Sequence, residues 1–461
     1  MSTERATIMR HAGTVLVGQL AVMTFSVIDT LVAGRFANSA LAALAVASAT
    51  YVTVHISLMG MLQALLPVWA ELHGAQRFSE VGRSVRQALY LCTFTAAIGM
   101  WALLSPGFLL NWTNVPPALQ SEVRNYLHII AFGLPASLLF RMYSTLNQSL
   151  GKPKLVTWVQ VGALLLKAPL SVVLVMGIPG WLTPMGLAGC AWATLIVSVL
   201  MLVLALWLLQ SQDFYKPYRI WAPMEKPHVP TLLRFVRLGL PSGLAIGVEV
   251  TSFTLMSLFI ARLGVIATAS HQIVSTMTAV LYMMPLSLSI ATSARVSFWI
   301  GAGQRHRARQ ALRTGLGLVL VLSVCVAGLI GWQGAAVARF FTQSEDVGAL
   351  AAVLFLWLML YHVADAVQVF CVFALRSYGI TVLPLITYTV LLWGLGLAGG
   401  YAVAYGPTLN WTVLSWLTPQ SPTAFWQTGS LALYVTTAVL LPVLWRAAYA
   451  PPYTRVIGKE P

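Results

Sequence analysis

Apolar residues run along the chain in stretches of about twenty, divided by short polar breaks. A helix rises about 1.5 Å per residue, so about twenty residues cross the ~30 Å hydrocarbon layer of a bilayer. Twelve such stretches occur, beginning near residues 13, 39, 86, 124, 155, 185, 238, 267, 310, 348, 380 and 425. None shows the alternation of a strand, and backbone groups in lipid must find partners within their own segment, so each predicts a helix. The runs at residues 39–70 and 346–377 approach thirty residues, long enough to tilt, bend or project from the bilayer. The pattern predicts an all-α polytopic membrane protein with twelve transmembrane helices in contact with a lipid bilayer.

Composition excludes the soluble alternative. Hydrophobic residues make up 58% and charged residues 8% of the 461, with a mean hydropathy of +0.81, too few charges to cover a water-facing surface. The net charge of +15 raises nucleic acid as a partner, but the basic residues sit in short breaks between spans and form no stripe. Cys92, Cys190, Cys325 and Cys371 all lie inside apolar segments without CxxC or Cys/His spacing, which indicates neither a disulfide nor a zinc site. The apolar run behind the polar start MSTERATIMRH is too long for a signal-peptide core, so it is expected to be retained. Of the 27 lysines and arginines, 21 fall on the side of the two termini. Four fall on the other side, Arg35, Arg124, Arg262 and Arg339, while Arg141 and Lys167 lie within apolar runs. Cytoplasmic loops retain positive charge, so both termini are expected in the cytoplasm.

The longest polar connection, residues 211–237, carries four prolines and divides the chain near its middle. Its position predicts an N-terminal six-helix lobe over residues 1–212, a cytoplasmic linker over 213–237 and a C-terminal six-helix lobe over 238–461. Arg86-Gln87-Ala88-Leu89 recurs as Arg309-Gln310-Ala311-Leu312, and Gln148-Ser149-Leu150-Gly151 is echoed by Arg376-Ser377-Tyr378-Gly379, at offsets of 223 and 228. Six helices per half give the two copies the same orientation, the parallel-repeat arrangement of rocking transporters.

Chemistry is expected at ionisable groups stranded in the apolar layer, because a charge at mid-membrane costs ~3 kcal/mol or more. Three of the twelve acids qualify. Asp29 shares a helical face with Gln19, Ser26 and Thr30; Glu249 lies two turns after Pro241 and near Ser252; Tyr361, Asp365 and Gln368 follow i, i+4, i+7 spacing and form one polar stripe. Each acid also has a purely structural alternative, as a carboxylate satisfied by a basic side chain or a helix end. Glu71, Glu80, Glu345 and Asp346 fall at span ends or in loops and are expected to be solvated or capping. His55, His271 and His362 can relay protons or simply pack. Met277, Met283 and Met284, with Tyr282 among them, suit a polyspecific cavity or plain packing.

At these residues the chain resembles a known family. The segments SVIDTLVAG, LGLPSGLAIGVEVTSF, ASHQIVSTMTAVLYMMPLSLSIATSARV and YHVADAVQVFCVFALRSYG, together with GLAGCAWATL and RMYSTLNQSLGKPKL, are similar to the corresponding helices of NorM-type transporters of the multidrug and toxic compound extrusion (MATE) family. The resemblance implies a bacterial inner-membrane antiporter, monomeric and without a cofactor, with two lobes around a central cleft. It implies export of small cationic or aromatic drugs and dyes in exchange for protons or sodium ions. Asp29 then belongs to the N-terminal lobe, and Glu249, Asp365 and the Tyr361 hydroxyl form a cation site in the C-terminal lobe, able to hold sodium. Gln272 and Gln368 are supporting candidates. Carboxylate and hydroxyl oxygens are hard ligands, and a carboxylic acid among apolar groups keeps its proton more tightly than one in water, so either ion suits these residues.

The fifth span departs from the family. Where the pattern resembles LNxPLN, this chain reads Leu166-Lys167-Ala168-Pro169-Leu170-Ser171, so a lysine replaces the first amide near the hydroxyl of Thr194 and the acid Asp29. An ammonium there would favour an ionised Asp29 and repel an incoming cation; the alternative is that Lys167 snorkels or lies outside the cleft. Two rival classes follow from the same residues. A lipid or polysaccharide flippase would use Arg141 and Lys167 to line a basic cavity, and an intramembrane enzyme would need a nucleophile or metal motif, of which neither HExxH nor GxSxG is present.

Overall fold

A computed structural model describes residues 2–107, 117–406 and 417–450. Arg455 and Lys459, counted above with the cytoplasmic charges, lie outside the described residues. Among the described residues twelve helices are long and apolar enough to cross a membrane: α1 Glu4–Phe36, α2 Ser39–Gly74, α3 Phe78–Leu104, α4 Leu119–Ser149, α5 Pro153–Met176, α6 Leu187–Ser211, α7 Val229–Ala261, α8 Val265–Gly301, α9 Arg305–Phe341, α10 Glu345–Ser377, α11 Val382–Tyr405 and α12 Thr423–Tyr449. Among the described residues no strand occurs beyond one isolated bridge, Ile178 with Leu182. Each helix matches one expected span. Several begin a turn or two earlier than their apolar runs, because backbone hydrogen bonding continues past the hydrocarbon edge. Thus α3 starts at Phe78, ahead of Arg83 and Arg86, and α7 at Val229, ahead of Arg234 and Arg237, placing basic turns where a headgroup layer accepts them. The long second run is one span whose helix is interrupted after Gln63 and resumed at Leu66 ahead of Pro67.

The two echoed tetrapeptides have one structural meaning. Gly151 ends α4 at φ +70° and Gly379 ends α10 at φ +75°, a region glycine enters without steric cost. In both caps the glycine N–H donates to a carbonyl three residues back, Gln148 at 3.2 Å and Arg376 at 2.9 Å. The next residue reaches five back, Lys152 to Asn147 at 2.8 Å and Ile380 to Leu375 at 3.1 Å. The same stop signal thus closes the fourth helix of each half.

By compactness the chain forms two units, Met1–Thr251 with Ile290–Arg305, and Ser252–Ser289 with His306–Pro461. In the first, α4 is the central helix: α2, α3 and α6 pack on it, while α1 packs on α5 and α5 on α6. Its core is aliphatic and small, with Leu127, Ile130, Ala131, Leu134 and Leu138 almost fully buried. Between spanning helices, where lipid is as apolar as the interior, close approach of backbones supplies the attraction. A Cβ on Gly301 would come 1.9 Å from the carbonyl oxygen of Glu71, so the end of α8 lies backbone to backbone on the end of α2. The contact corrects one expectation: Glu71 is buried at 8% exposure, not solvated, because the end of α8 covers it. Nearby, Arg295 donates twice to the Glu4 carboxylate at 2.8 Å, and Trp299 Nε1 donates to the same group at 3.2 Å. In the second unit α10 packs on α12, which also packs on the π-helical stretch Thr389–Ala398 within α11. Outward faces carry Trp158, Leu165, Trp332 and Phe340, each more than 70% exposed, as a lipid solvent requires. All four cysteines are free.

The polar connection is docked on the first unit. Tyr215 OH donates to Asn147 Oδ1 at 2.6 Å, and Tyr218 OH shares a hydrogen bond of 3.1 Å with His73. Arg86 forms a two-pronged ion pair with Glu225, and Gln87 brackets the chain by donating to the Lys226 carbonyl and accepting from the His228 N–H. The Arg86 hydrogen bond holds the Glu225 carboxyl below the usual glutamate range. A carboxyl lowered in the folded state stabilises above its unfolded pKa and ceases to do so as pH falls through the folded value. Limited proteolysis within residues 211–228 should therefore be slow at neutral pH and accelerate on acidification below the ordinary carboxylate range. Glu225→Gln should be cut quickly at neutral pH with a flattened pH profile, and a wild-type profile in that variant would contradict the docking.

Candidate functional site

Three helices of the first unit bring their polar groups to one point. Asp29 on α1 is buried at 6% exposure, and Lys167 on α5 is wholly buried. Lys167 Nζ lies 2.9 Å from both Asp29 carboxylate oxygens and also donates a short hydrogen bond to Thr194 Oγ1 on α6. Ser171, one turn after Lys167, donates to Asp29 Oδ1 at 3.2 Å; Thr194 stands 3.4 Å from Oδ2 and donates to its own helix at the Cys190 carbonyl, 2.9 Å away. Pro169 sits inside α5 between Lys167 and Ser171. An ammonium has three protons, and here every one has an oxygen within the cluster. The ion pair is closed, with one negative and one positive charge in a dry site. The snorkelling alternative for Lys167 is thereby overturned: its stem runs inward and its nitrogen is sealed by α1 and α6.

In the second unit Asp365 on α10 is 4% exposed, and Gln368, fully buried three residues on, donates to its Oδ1 at 3.1 Å. Tyr361, one turn before, turns its ring edge-on to Trp426 at 5.4 Å between centroids. Trp426 also meets Phe253 and His271, and His271 Nε2 shares a hydrogen bond of 2.8 Å with Ser257. No residue spacing announced this aromatic group, because its members come from α7, α8, α10 and α12. Gln272, next to His271, is exposed. Met277, Tyr282, Met283 and Met284 are all partly buried along α8. Glu249 is a partly buried residue of α7 in the first unit. His55 lies stacked on Tyr51 at 5.2 Å and shares a 3.4 Å hydrogen bond with Ser137, while His362 is buried on α10.

The family model for MatE matches residues 15–173 and 241–402, two stretches of similar length that begin at corresponding places in the two halves. A probable multidrug resistance protein NorM of Aromatoleum aromaticum is 36% identical over 448 residues, covering 96% of this chain and 94% of that protein. The chain belongs to the MatE family. The multidrug resistance protein MdtK of Pectobacterium atrosepticum is 28% identical, with 99% of this chain and 98% of that protein covered. The fold is shared with solved MATE transporters: the eukaryotic AtDTX14 at TM-score 0.84 and 17% identity, with 97% of both chains covered, and VcmN of Vibrio cholerae in the bent form at 0.83 and 15%, again with 97% of both. The twelve helices of this MatE chain therefore make it a multi-pass membrane protein.

Within that family frame the closed pair is testable by a charge cycle. Each of Asp29→Asn and Lys167→Asn strands a buried charge and should cost ~3 to 5 kcal/mol in thermal or denaturant unfolding. The double variant should recover most of that loss. Additive losses, or a Lys167→Asn protein as stable as wild type, would contradict a functioning pair.

Proposed function

We propose that this MatE-family chain is a secondary active multidrug efflux antiporter. It works by alternating access in the bacterial inner membrane with both termini in the cytoplasm, and exports hydrophobic or aromatic organic cations in exchange for protons or sodium ions. It is a transporter and not an enzyme, and it acts as a monomer. The observation that carries the reading is Asp365, a carboxylate 4% exposed in a membrane-spanning helix with Gln368 as its hydrogen-bond partner, in a chain whose relatives are named multidrug resistance proteins. An acid at membrane depth is costly to keep, and one whose hydrogen-bond partner is a neutral amide is suited to exchanging a proton or a metal ion.

The coupling acids in this proposal are Asp365 and Glu249, with Tyr361 as a hydroxyl ligand and Gln368 fixing the Asp365 carboxylate. When a proton or sodium ion neutralises an acid, an organic cation loses its electrostatic hold and leaves; when the ion departs, the site regains affinity for the next cation. Partly buried Met277, Met283, Met284 and Tyr282 offer flexible thioethers and a ring face, which accept varied flat cations. The lobes at residues 1–212 and 238–461, joined by the connection at 213–237, are the bodies proposed to alternate. The basic-cavity reading as a flippase loses support, since Lys167, one of its two cations, is consumed by Asp29.

Cells overproducing the protein should tolerate ethidium-like dyes, and everted vesicles should move such dyes when a proton or sodium gradient is imposed. Glu249→Gln and Asp365→Asn should each abolish that movement with membrane expression intact, whereas wild-type transport in both would overturn the assignment. Protection confined to anionic compounds would overturn the cation reading.

A further inference from the structure

The cluster around Lys167 has the make-up of a cation site whose occupant is attached to the chain. Its ligands are the two Asp29 oxygens, each 2.9 Å from Nζ, and the Thr194 hydroxyl, with the Ser171 hydroxyl bound to Asp29 Oδ1 at 3.2 Å. These are hard oxygen donors, the kind a sodium ion takes. A primary ammonium carries the same single charge and is bound by the same oxygens. We infer that Lys167 is a built-in counter-cation: it fills a monovalent-cation site in the first unit permanently, and its removal exposes a sodium site made of Asp29, Ser171 and Thr194.

Three features of the geometry carry this. Lys167 is wholly buried and Asp29 only 6% exposed, with Nζ at 2.9 Å from both carboxylate oxygens, so a free ion would have to displace the ammonium to take its place. All three ammonium protons are satisfied, so release would strand both charges in a dry medium. The ligands come from α1, α5 and α6 of one compact unit, so motion of that unit as a body leaves the cluster closed. The occupant also carries the site's specificity. A mobile ion could be exchanged for an organic cation, whereas a tethered one leaves Asp29 with no charge to offer. The inference rests on the proposed antiport in one respect: it removes Asp29 from the acids that exchange ions during transport.

The test reads binding to the folded protein and uses no transport. Thermal unfolding of the purified full-length chain is followed in sodium chloride and in choline chloride at equal ionic strength and mildly alkaline pH. Lys167→Asn, which leaves the carboxylate and supplies an amide oxygen, should be destabilised in choline and regain several degrees in sodium. Wild type and the doubly neutral Asp29→Asn/Lys167→Asn should show equal responses to the two salts. Two results would overturn the inference: a Lys167→Asn protein indifferent to the choice of salt, or a sodium-specific gain in wild type that the double variant lacks. A sodium-specific gain in wild type that the double variant lacks would overturn the inference even where Lys167→Asn does not accumulate. Loss of dye efflux with this salt pattern intact would count against the antiporter reading alone.

Discussion

Inside the bilayer no water is at hand to solvate a charge, and every ionised group must be answered by another within the protein. The contact between Asp29 and Lys167 is the plainest case of that constraint, and the arrangement of the first unit follows from it. One residue comes from α1 and the other from α5, so the pair holds together the two helices that pack directly on each other, and Thr194 draws in α6. Breaking the pair by helix separation would leave two charges unsolvated, a cost well above that of losing any single apolar contact. Packing of small residues then brings backbones near enough for the side chains to meet: a Cβ on Gly189 of α6 would lie 2.7 Å from the α5 backbone at Leu174.

The same constraint distributes polarity elsewhere. Arg295 and Trp299 meet Glu4 where the end of α8 approaches the start of α1, and Arg86 meets Glu225 where the connection lies on α3. His271 is answered by Ser257 within an aromatic cage, and Asp365 by Gln368. Aromatic and aliphatic side chains that would be core in a water-soluble protein, Trp158 and Phe340 among them, are turned outward instead. What fills the interior is largely alanine, leucine and valine, with glycine where helices cross.

Much of this was legible in the residue pattern, for physical reasons that can be named. The hydrocarbon layer imposes a length on every apolar run, so all twelve spans could be placed, with error confined to polar turns such as those of α3 and α7 that continue the helix beyond the bilayer. The contact of Lys167 with Asp29 was approachable because a lysine deep in an apolar run has few ways to be satisfied, and Ser171 and Thr194 were approachable through family resemblance. The burial of Glu71 was not legible, since it depends on the end of α8, more than two hundred residues away in sequence, coming to rest on it. The cage of Phe253, His271 and Trp426 escaped for the same reason: periodicity reports which face of a helix is polar, not which helix it will meet.

The central claim is that Asp29 is an ionised carboxylate held by a fixed ammonium and takes no part in ion exchange. Infrared difference spectroscopy on protein labelled with carbon-13 aspartate, comparing wild type with Asp29→Asn, reads the protonation of that one group directly. The account predicts an ionised carboxylate band at neutral pH that neither shifts nor loses intensity when a cationic dye saturates the protein. A carbonyl band of the protonated acid, or a carboxylate band that interconverts with it on dye binding, would contradict the account.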